Sequence, residues 1–198
     1  MKKYICRLML VLLMTMIAAH ADATIIYLAN LNGSAENPPN SSLGTGLATV
    51  EYDSALHTLS VDVNFSGLAG NTTAAHIHCC LAFPSNIGVA TTVPNFPGFP
   101  VGVTSGIYNN VFDLTLASSF NSSFITGYGG TVADAEAALA AGLANGQAYF
   151  DIHTQASPGG EIRGLLVAQV PEPETYAMML AGIGIIGFMT RRRRNELS

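Results

Sequence analysis

Three histidines have the residue type and the spacing to bind one metal ion. His76 and His78 stand two residues apart in a segment with strand character, so both imidazoles leave the same face of that strand. His153 ends another such segment and is a third candidate ligand. Cys79 could add a thiolate if it stays reduced, and His57 is a weaker candidate for a fourth histidine ligand. Imidazole nitrogen suits Zn and Cu. The alternative is that these histidines hydrogen-bond backbone groups at strand ends and hold loops in place.

Two adjacent cysteines are expected to remain in the processed chain. Cys6 lies in an N-terminal segment that we expect to be removed, which leaves Cys79 and Cys80. In an oxidising compartment they could form a disulfide with each other or each bond to another chain, and as thiols they could join a metal site. A disulfide between neighbours would add little stability, because the entropy that it removes grows with the length of the enclosed loop.

A single basic residue stands in a long acidic segment. Arg163 is the one Lys or Arg among residues 24–170, which carry nine acidic residues, so nothing there could neutralise nucleic-acid phosphates. We expect Arg163 to form a structural, bidentate pair with a carboxylate, and Asp151 across a predicted hairpin is one candidate. Glu161 lies two residues before Arg163 and shares its face of the predicted strand. The alternative is that Arg163 anchors an anionic ligand.

Familiar catalytic motifs are absent from the sequence. There is no Gly-x-Ser-x-Gly elbow, no His-Glu-x-x-His motif and no phosphate-binding loop. We therefore expect no catalytic residues, no enzymatic activity and no cofactor other than Zn or Cu. The first hypothesis is a non-enzymatic binding or structural role, and the second is a metal-binding or redox protein that uses His76, His78 and His153.

The elements that must position these residues are mainly strands. Segments of period-2 alternation are separated by turn clusters, which predicts an all-β fold: an antiparallel β-sandwich or Greek-key-like barrel with one short helix. The helix covers 132–143 with Thr131 as its N-cap, 94–102 form a surface loop, and 157–160 form a hairpin turn. The predicted strands are 24–31, 45–52, 55–68, 74–80, 111–116, 147–153 and 161–167.

Residues 1–23 have the three parts of a secretory signal peptide. Lys2, Lys3 and Arg7 precede an apolar run over 8–19, and small residues at 21 and 23 mark a cleavage site. We expect signal peptidase to cut after Ala23. The alternative is an uncleaved anchor, although the apolar run is shorter than the ~20 residues that span a bilayer.

The other end has a proline-rich motif, an uncharged stretch and a basic cluster. We predict a short transmembrane helix over 176–190 and, by the positive-inside rule, a cytoplasmic basic tail over 191–198. The stretch is short and glycine-bearing, so the anchor is weak, which suits a segment that is removed. The residues of the motif and cluster are Pro171, Glu172, Pro173, Arg191, Arg192, Arg193 and Arg194.

This order of parts over 170–194 resembles the PEP-CTERM sorting signal of exported bacterial proteins. The resemblance implies a partner enzyme, an exosortase, that recognises the Pro-Glu-Pro motif and removes or replaces the tail. It also implies an inner-membrane anchor before processing and a later place in the outer envelope or extracellular matrix of a Gram-negative bacterium. Exopolysaccharide or envelope proteins are then candidate partners. The alternative is an ordinary anchor that stays.

The domain over 24–169 has a family resemblance of its own. Ala-His-Ile-His at 75–78, Tyr-Phe-Asp-Ile-His-Thr at 149–154 and Pro-Gly-Gly-Glu-Ile-Arg-Gly at 158–164 resemble the CHRD domain first described in chordin. The resemblance implies an extracellular β-sandwich module, with growth-factor binding attributed to the animal protein. One departure is Cys79-Cys80, where a glycine-rich turn commonly follows the first histidine pair.

Overall fold

The computed structural model describes residues 24–169, 179–187, 189 and 193. The predicted signal peptide over 1–23, the Pro-Glu-Pro motif at 171–173, and Arg191, Arg192 and Arg194 lie outside the described residues. Residues 179–187 are helical. Within the described ranges, no helix combines the length and the apolar character needed to cross a membrane.

The domain is one antiparallel sheet that curls into a half-barrel. The strands lie in the order β4-β6-β7-β1-β2-β3-β5, and β8 pairs with β1 beside β7. The predicted antiparallel all-β class is confirmed. The strands are β1 Ile25–Asn32, β2 Thr45–Asp53, β3 Thr58–Ser66, β4 Thr72–Cys79, β5 Gly106–Asp113, β6 Ala148–Thr154, β7 Ile162–Leu165 and β8 Val167–Ala168.

Half of the sheet has one buried face, as period-2 alternation predicts. In β3, the side chains of Leu59, Val61, Val63 and Phe65 are buried, and Asp62 between them is exposed. These residues belong to the hydrophobic core that fills the curled sheet. Burial of alternate apolar side chains fixes the register, because a shift by one residue would turn all of them to solvent.

The other half, formed by β4, β6 and β7, is buried on both faces. The core face carries apolar side chains, including Ile77, Phe150 and Ile162. The opposite face carries polar side chains, and irregular segments around residues 33–40, 80–95 and 155–160 lie over it. We call it the loop-covered face. A buried polar face requires hydrogen-bond partners for its groups, and these segments supply backbone carbonyls.

The proline-rich segment 94–102 is a loop, as predicted, but it does more than cover the surface. Phe96 and Phe99 insert into the core, where they are 1% and 4% exposed. The ring of Phe96 lies 5.1 Å from that of Phe112, and the ring of Phe99 lies 5.5 Å from that of Phe65. The prediction of a surface loop is therefore wrong for these two side chains, which complete the core.

Two α-helices and two short 3-10 turns complete the domain. Helix α1 covers Ser122–Gly127 and helix α2 covers Val132–Ala144. The side chain of Thr131 caps α2 by accepting a hydrogen bond from the Asp134 N–H, as predicted. Helix α1 was not predicted. Strand β5 begins at 106 rather than 111, and the predicted last strand is interrupted at Leu166 into β7 and β8.

Candidate metal centre

The three histidines lie side by side on the loop-covered face. Strands β4 and β6 pair antiparallel so that His76 stands opposite Asp151, and Ala74 stands opposite His153. Directly opposed residues share a face, and residues two apart on one strand share it too. The pairing therefore brings His76, His78 and His153 together. The spacing of His76 and His78 predicted their shared face, whereas the approach of His153 follows from the strand register.

One nitrogen of each ring is held by a backbone carbonyl. The carbonyl oxygen of Pro94 lies 2.8 Å from His76 Nε2, that of Ile87 lies 2.7 Å from His78 Nδ1, and that of Pro158 lies 3.1 Å from His153 Nδ1. A carbonyl oxygen only accepts, so each of these nitrogens carries the hydrogen and donates it. The opposite nitrogen of each neutral ring is then left with a free lone pair.

The free nitrogens are buried and converge. His76 Nδ1, His78 Nε2 and His153 Nε2 are inaccessible to solvent and have no hydrogen-bond partner in the described part of the chain. A ligand nitrogen of each histidine lies within 4.8 Å of those of the other two. Buried polar atoms are rarely left unpaired. Three neighbouring histidines, each with one buried unpaired nitrogen and a tautomer set by a carbonyl, have the features of a metal site with its outer shell in place.

The electrostatic environment keeps the rings neutral. Burial lowers the pKa of His76 and of His78 to about 4, despite the opposing hydrogen bonds to carbonyls. Burial also lowers the pKa of His153. A metal-binding imidazole must be neutral, because the ion takes the lone pair that a proton would occupy. The cluster therefore offers three neutral nitrogen donors at neutral pH.

The other two sequence candidates for ligands do not reach the cluster. Cys79 forms a disulfide with Cys80, one of the alternatives from the sequence, and its side chain lies on the core face. His57 lies in the turn before β3, where its Nδ1 is 2.9 Å from Oε2 of Glu136. The predictions that Cys79 could be a thiolate ligand and that His57 could be a fourth histidine ligand therefore do not agree with the structure.

Arg163 lies beside this cluster and is almost completely buried. Its guanidinium donates to the carbonyl oxygens of Ala35 and Pro84 and to Oδ1 of Asn86, each at 2.7 Å. The guanidinium carbon also lies 5.1 Å from the ring centre of Phe83 and 4.7 Å from that of Tyr149. The hydrogen bonds and the contact with Phe83 join loops to the sheet, which supports a structural role for Arg163.

The carboxylate nearest to Arg163 is Glu36, which the sequence did not indicate. Oε2 of Glu36 lies 3.6 Å from Arg163 Nε. Asp151 stands opposite Arg163 in the β6–β7 pair, but Oδ1 of Asp151 is buried without a hydrogen-bond partner among the described residues. The expected bidentate pair between Arg163 and Asp151 is therefore not formed. Burial raises the pKa of both carboxyl groups, although the positive charge of Arg163 opposes this shift.

Glu161 is a further buried carboxylate, and among the described residues no cation forms an ion pair with it. It accepts hydrogen bonds from Ser42 Oγ, Thr154 Oγ1 and the N–H groups of Ala69 and Gly70. Burial raises its pKa, but these four donors together outweigh burial and lower it. Glu161 immediately precedes β7, which begins at Ile162, and its N–H donates to the carbonyl oxygen of Ile152. Its contacts join three loops.

The fold and site define an antiparallel β domain with a buried polar cluster under loops. A family model, CHRD domain, matches residues 27–166, and the chain belongs to the CHRD domain family. A second model, PEP-CTERM protein-sorting motif, matches residues 169–194. Both resemblances noted in the sequence are confirmed. No curated protein and no solved structure matches the chain significantly.

Proposed function

We propose that this protein is an exported, non-enzymatic metal-binding protein that holds one Zn or Cu ion at His76, His78 and His153. The observation that supports this proposal best is the set of three buried, unpaired ring nitrogens whose partner nitrogens are fixed by carbonyls. Histidines with a purely loop-holding role would need only the carbonyl contacts. They would not need three buried, unpaired nitrogens on rings whose ligand atoms lie within 4.8 Å of one another.

The route of export belongs to the same proposal. Signal peptidase removes residues 1–23, and a helix over 176–190 holds the chain in the inner membrane with 191–198 in the cytoplasm. The PEP-CTERM motif implies processing by an exosortase. The processed domain then resides in the outer envelope or the extracellular matrix, beside exopolysaccharide or envelope proteins. A disulfide at Cys79–Cys80 suits an oxidising compartment.

The metal site is tested with variants that keep each carbonyl contact and remove only the donor nitrogen. Asn places an amide N–H near the position of Nδ1, so H78N and H153N retain the contacts to Ile87 and Pro158. Gln does the same for Nε2, so H76Q retains the contact to Pro94.

The readout is metal affinity, measured by titration with Zn(II) and copper salts. We expect each variant to lose at least about 100-fold in affinity. H57Q, outside the cluster, is the matched control and should bind as the wild type does. Equal affinity in the wild type and all three cluster variants would refute the metal site and favour the purely structural role.

The sorting proposal has a separate test. Mass spectrometry of the exported fraction should find a mature C-terminus that lacks residues 191–194. A chain that retains Arg194 outside the inner membrane would contradict exosortase processing.

A further inference from the structure

We infer that the ion held by this site is Cu(I) rather than Zn(II). This inference rests on the proposed metal site and names its occupant. It follows from three features of the cluster: the number of donors, their charge and their enclosure.

The number of donors matches a three-coordinate ion. Among the described residues, the group of metal-ligating side chains that converge here contains His76, His78 and His153, with no carboxylate or thiol. Protein-bound Zn(II) is almost always four-coordinate, and a site with three protein ligands keeps water in the fourth position. The three free nitrogens have almost no solvent-accessible surface, which disfavours a bound water at a fourth position. Cu(I) is stable with three nitrogen ligands.

The charge of the surroundings also disfavours a divalent ion. The three ligands are neutral, and the cost of burying an ion scales with the square of its charge, so a divalent ion costs about four times as much as a monovalent one. The guanidinium of Arg163 adds a positive charge that acts on His78. Of the nearby carboxyl groups, Glu36 lies 3.6 Å from Arg163 Nε, and burial raises the pKa of Asp151, which favours its neutral form.

Competing oxidation states and ligands do not change this preference. Cu(II) favours tetragonal sites, which three converging imidazoles do not supply. Thiolates would bind Cu(I) more strongly than imidazoles, but Cys79 and Cys80 are joined in a disulfide. Metal–nitrogen bonds of about 2.0 Å require the nitrogens to approach to about 3.4 Å. His153 is half-buried at the end of its strand, where a small shift of this kind is easiest.

The test compares two metals on the same exported protein under nitrogen. Cu(I), supplied as its acetonitrile complex, competes with bicinchoninate, and Zn(II) sulfate competes with a zinc-binding dye. No thiol reductant is added, so that the Cys79–Cys80 disulfide stays closed. The wild type, H153N and the control H57Q are each measured, after circular dichroism has shown that all three are folded.

We expect the wild type and H57Q to bind Cu(I) at least about 100-fold more tightly than Zn(II), and H153N to lose most of this affinity. X-ray absorption at the copper edge should then count three nitrogen neighbours. Zn(II) binding that equals or exceeds Cu(I) binding, with both weakened in H153N, would overturn the copper assignment and leave the metal site standing. Binding of either metal that is the same in the wild type and H153N would overturn both.

Discussion

Replacing Arg163 by Met removes the one buried cation of the domain while keeping a side chain of similar length. The change leaves three acceptors without their donor: the carbonyl oxygens of Ala35 and Pro84 and the amide oxygen of Asn86. It also removes the positive charge beside Glu36 and Asp151. Arg163, Glu36 and Asp151 are buried, so the change leaves both carboxyl groups in a buried setting without the neighbouring cation.

The expected loss can be bounded from these contacts. Removing one partner of a buried, hydrogen-bonded ion pair typically costs about 3–5 kcal/mol. A domain of this size shifts its melting temperature by about 2–4 °C for each kcal/mol, so R163M should melt at least about 6 °C below the wild type. R163K retains the charge but cannot donate to all three acceptors with the same geometry. Its melting temperature should therefore lie between those of R163M and the wild type.

The assay is thermal unfolding followed by circular dichroism. The matched control is E51Q, because Glu51 is an exposed carboxylate and its loss should leave the melting temperature nearly unchanged. An R163M protein that melts within about 2 °C of the wild type would refute the structural role of Arg163 and favour an anion-binding one.

Three further substitutions test a buried hydrogen-bond network, a close contact of α2 and a helix cap. E161Q replaces a carboxylate that accepts hydrogen bonds from the N–H groups of Ala69 and Gly70 with an amide, which has one acceptor oxygen fewer. The substitution should therefore lower the free energy of unfolding at neutral pH. Because the folded pKa of Glu161 is lowered, its contribution is present above the unfolded value of 4.5 and is lost as pH falls through the folded pKa. Urea unfolding from pH 3 to 7 should therefore show wild type and E161Q converging in acid, and a gap that widens in acid would contradict this. In α2, G142A would press its methyl group against the sulfurs of Cys79 and Cys80, so it should lower the melting temperature, whereas G127A meets nothing and should not. T131A should cost about 1 kcal/mol through loss of the α2 cap, and an unchanged unfolding free energy would show that the cap is not needed.

Much of the fold follows from local pattern in the sequence. Alternation of apolar residues located β3, and Thr131 together with an alanine-rich run located α2. Strand β5 was predicted to begin too late because Asn109 and Asn110 interrupt its apolar pattern, although both pair with β3. Helix α1 spans only Ser122–Gly127, which is too short to show a helical period.

The site was only half predictable, because one of its contacts depends on strand register and another on a folded loop. The spacing of His76 and His78 placed both on one face, but the approach of His153 depends on the register that sets it opposite Ala74. The contact between Glu36 and Arg163 could not be predicted, because Glu36 lies outside any strand, before a proline-containing turn. The fold of this loop brings it close to Arg163. Sequence pattern reveals faces of strands, whereas a buried network joins segments that are distant in the chain.

The central claim is that His76, His78 and His153 hold a metal ion in the exported protein. Elemental analysis of protein purified from the periplasm, without added metal or chelator, tests this directly. The account predicts about one equivalent of metal per chain, chiefly copper, and its loss in H78N. Less than about 0.1 equivalent of copper and zinc together, with a melting temperature that chelator does not change, would contradict it.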